Sequence, residues 1–211
     1  QALRAAPPPS DWIDRWWTLA LADPWEMWDE GVVLAAAGPA VQARYHTRAL
    51  ADWQAWQQAH GTAVALRAPD NDSDSTRSLL RYRYLVSLRS QGDAQAVYAA
   101  MAESAQQPAE FVELVRWCDK QGWQDQALHW AQMGAVHHPH DKTCESQLLH
   151  CYQQQGNHAA ALPLLRRRLQ AQPSAHSYAE VLATAERAGL DRAAYRAELF
   201  AWIEQGEADA M

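Results

Sequence analysis

Residues 122–139 read GWQDQALHWAQMGAVHHP, and residues 156–173 read GNHAAALPLLRRRLQAQP. Each segment begins with Gly, has Ala at the sixth position and ends in Pro, so Gly122, Ala127 and Pro139 recur as Gly156, Ala161 and Pro173. Glycine tolerates the left-handed backbone that often ends a helix, and proline stops a helix because it lacks a backbone N–H. A 34-residue period with these markers predicts a tandem array of helical hairpins.

Apolar residues recur at helical spacing before each of these glycines, and small residues follow the glycines. Small residues let the two helices of a hairpin approach closely, and the apolar stripe of one hairpin needs a neighbouring hairpin to cover it. The apolar residues are Phe111, Leu114, Val115 and Cys118 in the first unit and Leu148, Leu149 and Tyr152 in the second. The pattern resembles the tetratricopeptide repeat (TPR) family, and the resemblance implies an all-α fold, a right-handed α-solenoid of helical hairpins.

The same period extends more loosely in both directions. Gly92 precedes Gly122, and Gly189 follows Gly156, at slightly shorter intervals than the one between Gly122 and Gly156. We therefore predict four stacked antiparallel hairpins over residues 77–205. The last helix is expected to be a terminal helix with one side facing water. Its predicted apolar residues are Tyr195, Leu199 and Trp202.

The chain before the repeats is divided into three predicted parts. Residues 1–9 end in three prolines and are predicted to be an extended linker. Residues 10–68 are predicted to be a Trp-rich N-terminal helical segment, and residues 68–75 a loop. Helices are expected after Ser10, from Asp23-Pro24, from Ala40 to His60 and, as a short element, over 61–67. The third of these should present Tyr45, Ala49, Trp53 and Trp56 on one face.

Seven of the eleven Trp residues lie before residue 57. One interpretation is a ligand site in which aromatic rings stack on bases or sugars. The other is that these rings pack the first helices together. We favour packing, because the Trp spacings are helical and no basic residues alternate with them.

The composition limits the classes of function. The chain has 211 residues, 48% of them hydrophobic, and a net charge of −7. Because nucleic-acid-binding proteins usually present a basic surface, we do not expect direct nucleic-acid binding. The basic run Arg166–Arg168 is interpreted as a solvated helix face. The three Cys residues do not have the spacing of a disulfide framework, which favours a reducing, cytoplasmic location. No segment approaches the roughly 20 apolar residues of a membrane span, and we expect no membrane partner.

One cluster contains residue types that bind metals. His137, His138 and His140 surround Pro139, and Cys144 follows. A metal-dependent or catalytic domain using this group is one hypothesis. The spacing lacks a paired ligand motif, and no nucleotide-binding or hydrolase motif occurs in the chain. We therefore favour exposed turn histidines and predict a protein without cofactor, metal or enzymatic activity.

The TPR resemblance implies a binding function instead. In that family the first helices of successive hairpins line a concave groove that takes extended peptides. By position in the repeat, the groove residues here are Tyr82, Arg89, Arg116, Lys120, His150, Gln153 and Gln154. Because this set is basic to polar in an acidic protein, the expected partner is a protein or peptide with an acidic segment or a C-terminal carboxylate. The alternative is an ordinary solvated helix face.

A narrower resemblance covers residues 77–204. The run from Gly122 to Gly134, and Pro173-Ser174 with Tyr178 after it, resemble the C-terminal helical region of bacterial SWIM zinc-finger family proteins. The zinc motif of that family is absent from this chain, so the resemblance implies a fragment without the zinc module. A weaker resemblance is to the helical activator domains of bacterial transcription regulators. The leading expectation is a protein-interaction scaffold, and the alternative is an accessory domain of a nucleic-acid-associated protein.

Overall fold

The computed structural model describes residues 12–21, 29–60 and 71–209, with side chains at 13–18, 29–60 and 75–202. In these ranges the chain is all-α, with eleven helices and no strand. The predicted linker 1–9, the helix start at Asp23-Pro24 and the short helix over 61–67 lie outside the described residues. Within the described part, no helix combines the length and the hydropathy that crossing a membrane requires. The chain divides into two compact units, residues 1–104 and residues 105–211.

The helices of unit 1 pack mainly around α4, which contacts α2, α3 and α5. The helix bounds are α1 Trp12–Leu21, α2 Glu30–Ala36, α3 Pro39–His60, α4 Asn71–Gln91 and α5 Ala94–Ser104. The predicted loop over 68–75 is wrong from Asn71 onward, because α4 begins there. Its first residues are Asn, Asp, Ser and Asp, types that turns and helix N-termini both favour, so composition alone did not separate the two.

Aromatic side chains form the core of unit 1. Tyr45 and Ala49 are each 1% exposed, and Trp53 and Trp56 are also buried, as the sequence pattern of α3 predicts. The rings of Trp16 and Trp17 lie 5.7 and 5.1 Å from the Tyr45 ring. Since these four Trp side chains are buried, packing is the interpretation that their surroundings support.

The buried face of α4 also contains three arginines that the apolar pattern did not predict. Arg77 and Arg83 are 1% exposed and Arg81 is 6% exposed. Arg77 donates to the carbonyl of Ser104, the last residue of α5, and Arg81 Nε donates to the Ser104 hydroxyl at 2.9 Å. Arg83 pairs with Glu30 at 3.1 Å. The last carbonyl groups of a helix have no intrahelical partners, and Arg77 satisfies the one at Ser104.

Unit 2 contains three consecutive pairs of helices. The bounds are α6 Pro108–Gln121, α7 Gln124–His137, α8 Lys142–Gln154, α9 His158–Ala171, α10 Ala175–Arg187 and α11 Arg192–Asp209. Each helix contacts the next one along the chain, and α6 also contacts α8. The predicted stop signals hold, because Pro139 lies between α7 and α8 and Pro173 lies between α9 and α10.

The repeat glycines adopt the predicted left-handed backbone. Gly92, Gly122, Gly156 and Gly189 all have positive φ, between 68° and 82°. Each follows the first helix of a pair, where a residue with a Cβ would be strained. Gly134 has a different role, because a Cβ at that position would lie 3.1 Å from Cβ of Phe111. It allows the close approach of α7 and α6.

The predicted core of the clear repeats is buried except for Tyr152, which is half-buried. Leu114, Val115 and Cys118 are fully buried on α6, and Ala127 and Ala161 are 1% and 0% exposed. The last helix follows its prediction in part, because Trp202 is half-buried. Its Tyr195 and Leu199 are buried, whereas Glu198 is exposed and pairs with Arg166 at 3.0 Å.

Candidate functional site

The seven predicted groove residues are divided between the two units. Tyr82 and Arg89 lie on α4 in unit 1, where Tyr82 is 42% exposed and Arg89 is half-buried. The other five lie on α6 and α8 in unit 2, and the site is therefore built from these. The five residues are Arg116, Lys120, His150, Gln153 and Gln154.

Helix α6 presents two cations to solvent. Its apolar stripe is buried, so Arg116 and Lys120 lie on the opposite side of the helix, and both are exposed. They are four positions apart and therefore neighbours on one helix face. Among the described residues, neither side chain forms an ion pair. Lys120 also lies in the last turn of α6, where the helix dipole favours a positive charge.

Helix α8 continues this polar face. His150 and Gln154 are exposed, and they occupy in the next repeat the positions that Arg116 and Lys120 occupy on α6. Gln153 is half-buried, and its Nε2 donates to Glu180 Oε1 of α10 at 3.4 Å. The contact between α6 and α8 places these residues on adjacent helices. We call this set, Arg116, Lys120, His150, Gln153 and Gln154, the α6/α8 face.

The α6/α8 face offers hydrogen-bond donors and positive charge at the protein surface. Arginine and lysine bind carboxylates, and glutamine side chains can bind a peptide backbone because they both donate and accept hydrogen bonds. No nucleophile or general base lies within the set, apart from the exposed His150. The chemistry available here is non-covalent binding of a polar, anionic ligand.

The three clustered histidines do not converge on one point. His137 stacks on Phe111 with 5.8 Å between ring centroids, and His138 meets the same ring edge-on at 5.6 Å. His138 Nε2 also donates to the Gln106 carbonyl at 2.9 Å. His140 is exposed. In the part of the chain described here, no group of three His, Cys, Asp or Glu residues is arranged to hold a metal ion.

The cysteines are packing residues. All three are free thiols and at most 3% exposed. Burial, reinforced by the negative charge of Asp119, raises the pKa of Cys118 and of Cys151 to about 11. Burial and Asp141 raise the pKa of Cys144 to about 11. Because the thiolate is the reactive form, these side chains are poor nucleophiles and poor metal ligands near neutral pH.

A serine–histidine pair in unit 1 was not predicted, because its members lie far apart in sequence, on α3 and α4. His46 Nδ1 lies 2.9 Å from Ser87 Oγ, and Ser87 Oγ donates to the Tyr84 carbonyl at 2.6 Å. The serine proton is therefore directed away from the ring. Ser87 is 0% exposed, and burial lowers the pKa of His46. The pair connects α3 to α4 and lacks access to a substrate.

The basic run Arg166–Arg168 is not a uniform solvated face. Arg166 is half-buried, and its guanidinium carbon lies 4.9 Å from the centroid of the Trp202 ring. Arg168 Nη2 donates to the Ser146 hydroxyl at 3.0 Å, whereas Arg167 is 63% exposed. The sequence showed only that three arginines are consecutive. Because consecutive residues of a helix point in different directions, the three side chains have different surroundings.

Comparison of this chain with protein-family models, curated proteins and solved structures gives no match.

Proposed function

We propose that helices α6 to α11 form a TPR-like right-handed array that acts as a non-enzymatic protein-interaction module. Its ligand is an extended acidic segment of a partner protein, bound across the α6/α8 face. The regular spacing of the repeat markers, the glycines with positive φ and the small buried residues of the second helices support the TPR-like geometry. They do so because each is a feature that a stacked hairpin array requires.

The observation that carries the proposal is the pair of exposed cations on α6. Arg116 and Lys120 are adjacent on one face and form no ion pair with any described residue. In a protein of net charge −7, two exposed cations that form no ion pair with a described residue are available to a ligand. A peptide with two carboxylates at matching spacing would complement them.

The strength of this interaction can be bounded. An exposed ion pair contributes about 0.2–1 kcal/mol, so two pairs contribute at most about 2 kcal/mol. That corresponds to roughly a thirtyfold change in the dissociation constant. The remaining affinity must come from contacts of the peptide backbone with Gln153, Gln154 and His150. We therefore expect weak, salt-sensitive binding.

The test uses fluorescence anisotropy with a labelled octapeptide of alternating Glu and Gly and, as a control, the same peptide with Lys in place of Glu. The acidic peptide should bind and the basic one should not. Arg116→Glu combined with Lys120→Glu should weaken binding about tenfold or more. Arg196→Glu, an exposed charge reversal on α11, is the control and should have a smaller effect.

Two outcomes would contradict this proposal. Equal binding of the acidic and basic peptides would show that charge does not select the ligand. Equal loss with the α6 pair and with Arg196→Glu, after correction for the number of charges changed, would show only a response to overall charge. A single-stranded oligonucleotide is tested in parallel, because the alternative function is a nucleic-acid accessory domain. That alternative requires the oligonucleotide to bind more tightly than the acidic peptide, with a steep salt dependence.

A further inference from the structure

A second basic site lies away from the α6/α8 face, at the open end of the α8/α9 helix pair. It is a cleft with a volume of about 550 Å³ between the start of α8, the end of α9 and the preceding turn. We call it the Arg167/Arg168 cleft. The polar and charged residues of its lining that matter here are His140, Lys142, Glu145, Ser146, Arg167 and Arg168.

The charge in this cleft is positive. Lys142, Arg167 and Arg168 each carry one positive charge, and Glu145 is the one carboxylate in the lining. Asp141 is close in sequence but does not line the cleft. Its carboxylate accepts from the backbone N–H groups of Cys144 and Thr143 at 2.8 and 2.9 Å. Those bonds lower the pKa of Asp141, which stays ionised at the N-terminus of α8. Among the lining residues, three cations against one carboxylate give an excess of two positive charges.

The two arginines are held in different ways. Arg168 is half-buried, and its Nη2 is fixed by the Ser146 hydroxyl at 3.0 Å, so its guanidinium keeps further donors while its position is restrained. Arg167 Nη2 lies 4.0 Å from Glu145, at the limit of an ion pair, and the side chain is 63% exposed. A restrained guanidinium loses less conformational freedom when it binds an anion.

We propose that the Arg167/Arg168 cleft binds a phosphate monoester. Such a group carries about −1.5 to −2 charges at pH 7, which matches the excess charge of the lining. Guanidinium groups donate two parallel hydrogen bonds to phosphate oxygens, and lysine adds a compact positive charge. The volume of the cleft is far larger than one phosphate group needs, so the molecule that carries the phosphate also has room.

This proposal is independent of the acidic-peptide ligand of the α6/α8 face. The cleft uses the N-terminal half of α8 and the C-terminal end of α9, whereas the face uses the C-terminal half of α8 and α6. The phosphate can come from a phosphorylated peptide side chain or from a small phosphorylated metabolite. Both present the same monoester, and the experiment distinguishes them.

The test is a titration followed by two-dimensional ¹H–¹⁵N NMR on the full chain. The probes are a blocked pentapeptide with a central phosphoserine, the same peptide with unmodified serine, the same peptide with glutamate, and glycerol 3-phosphate. Binding of the phosphopeptide or of glycerol 3-phosphate, with shifts concentrated at residues 140–146 and 167–172, supports the proposal. The tighter of the two identifies the source of the phosphate.

Variants locate the contacts. Arg168→Gln and Arg167→Gln should each weaken phosphate binding about tenfold, as expected for the loss of a charge-assisted hydrogen bond. Arg187→Gln, an exposed arginine of α10 outside the cleft, is the matched control and should leave binding unchanged. If Arg168→Gln alters the melting temperature through the Ser146 bond, the exposed Arg167→Gln variant still tests the site.

Three results would overturn the proposal. One is the absence of binding by both phosphorylated probes at millimolar concentration. Another is equal binding of the phosphoserine and glutamate peptides, which would mark an unspecific cationic patch. The third is a loss of affinity in Arg187→Gln as large as that in Arg167→Gln.

Discussion

Glu30 has two buried partners within unit 1. Its carboxylate accepts from the Tyr45 hydroxyl and from Arg83, whose Nε and Nη2 both lie 3.1 Å from Oε1. The guanidinium carbon of Arg83 lies 4.2 Å from the centroid of the Trp17 ring. Removing one member of a buried ion pair leaves a charge without a partner, whereas replacing both members by apolar residues of similar volume is often neutral.

We therefore expect coupling between these two residues. Glu30→Leu should lower the free energy of unfolding by about 3–5 kcal/mol, because Arg83 remains buried and unpaired. Combining it with Arg83→Met should recover part of that loss, although the Tyr45 hydroxyl stays without its acceptor. Urea unfolding of both single variants and the double variant measures the coupling. Strictly additive losses would show that the pair is energetically independent.

The buried cysteines make stability depend on pH above neutrality. Each has a folded-state pKa of about 11, whereas an unfolded cysteine titrates near pH 8.5. Above pH 8.5 the unfolded chain loses protons that the folded chain keeps, so stability is complete below that pH and falls up to about pH 11. The slope is at most about 1.4 kcal/mol per pH unit for each cysteine.

Chemical denaturation at intervals between pH 7.5 and 9.5 tests this prediction. Burial also raises the pKa of Tyr45, Tyr84 and Tyr195, so these residues add a loss of the same sign once unfolded tyrosines, with an ordinary pKa of about 10, begin to titrate. The cysteine contribution is therefore read from the difference in slope between the original chain and a cysteine variant. Cys151→Ala should be less stable at every pH because it leaves a cavity, but its stability should fall less steeply. An unchanged slope in this variant would mean that Cys151 does not contribute.

At the scale of the helix pair, the second helices of the clear repeats pack through small residues. Ala161 is 0% exposed on α9, and α9 contacts both α8 and α10. Ala161→Leu adds three heavy atoms to this seam, and overpacking of that kind costs about 1–3 kcal/mol. The melting temperature should fall. An unchanged melting temperature would show that this position is not part of a tight seam.

Arg116→Ala is the matched change on the exposed side of the same unit. It removes a solvent-exposed side chain of α6, so the free energy of unfolding should stay within about 0.5 kcal/mol of its original value. Binding of the acidic octapeptide should weaken at the same time. The two variants together separate the stability of the array from the function proposed for its face.

The helices were predictable because their signals are local. A constant repeat period, glycine after a first helix and proline after a second are readable without a structure, and the left-handed glycines follow from them. The buried Arg77, Arg81 and Arg83 were not predictable, since charged residues interrupt an apolar pattern and their partners Ser104 and Glu30 are distant in sequence. The Arg167/Arg168 cleft was missed for a similar reason. Its residues come from two helices and a turn, and only the basic run was visible.

At the scale of the whole molecule, the chain divides into two compact units. Residues 105–211 contain six helices, each of which contacts the next one along the chain. We expect a chain of residues 105–211 to fold by itself, with helical circular dichroism and a cooperative thermal transition. A helical spectrum without cooperativity, or precipitation on expression, would show that residues 1–104 are needed for folding.

The open space around the repeat glycines has a stereochemical consequence. Gly122 and Gly156 have φ of 76° and 68°, and a Cβ built on either one meets no atom within 4 Å. Only the handedness of ordinary amino acids therefore excludes a side chain there. D-alanine prefers this backbone, so chemical synthesis of the chain with D-alanine at both positions should raise the free energy of unfolding by about 0.4–1 kcal/mol per site, because the unfolded chain loses entropy. L-alanine at the same two positions should lower the free energy of unfolding. Calorimetry should therefore give a higher melting temperature for the D-alanine form than for the L-alanine form, although the two differ only in the configuration of two residues.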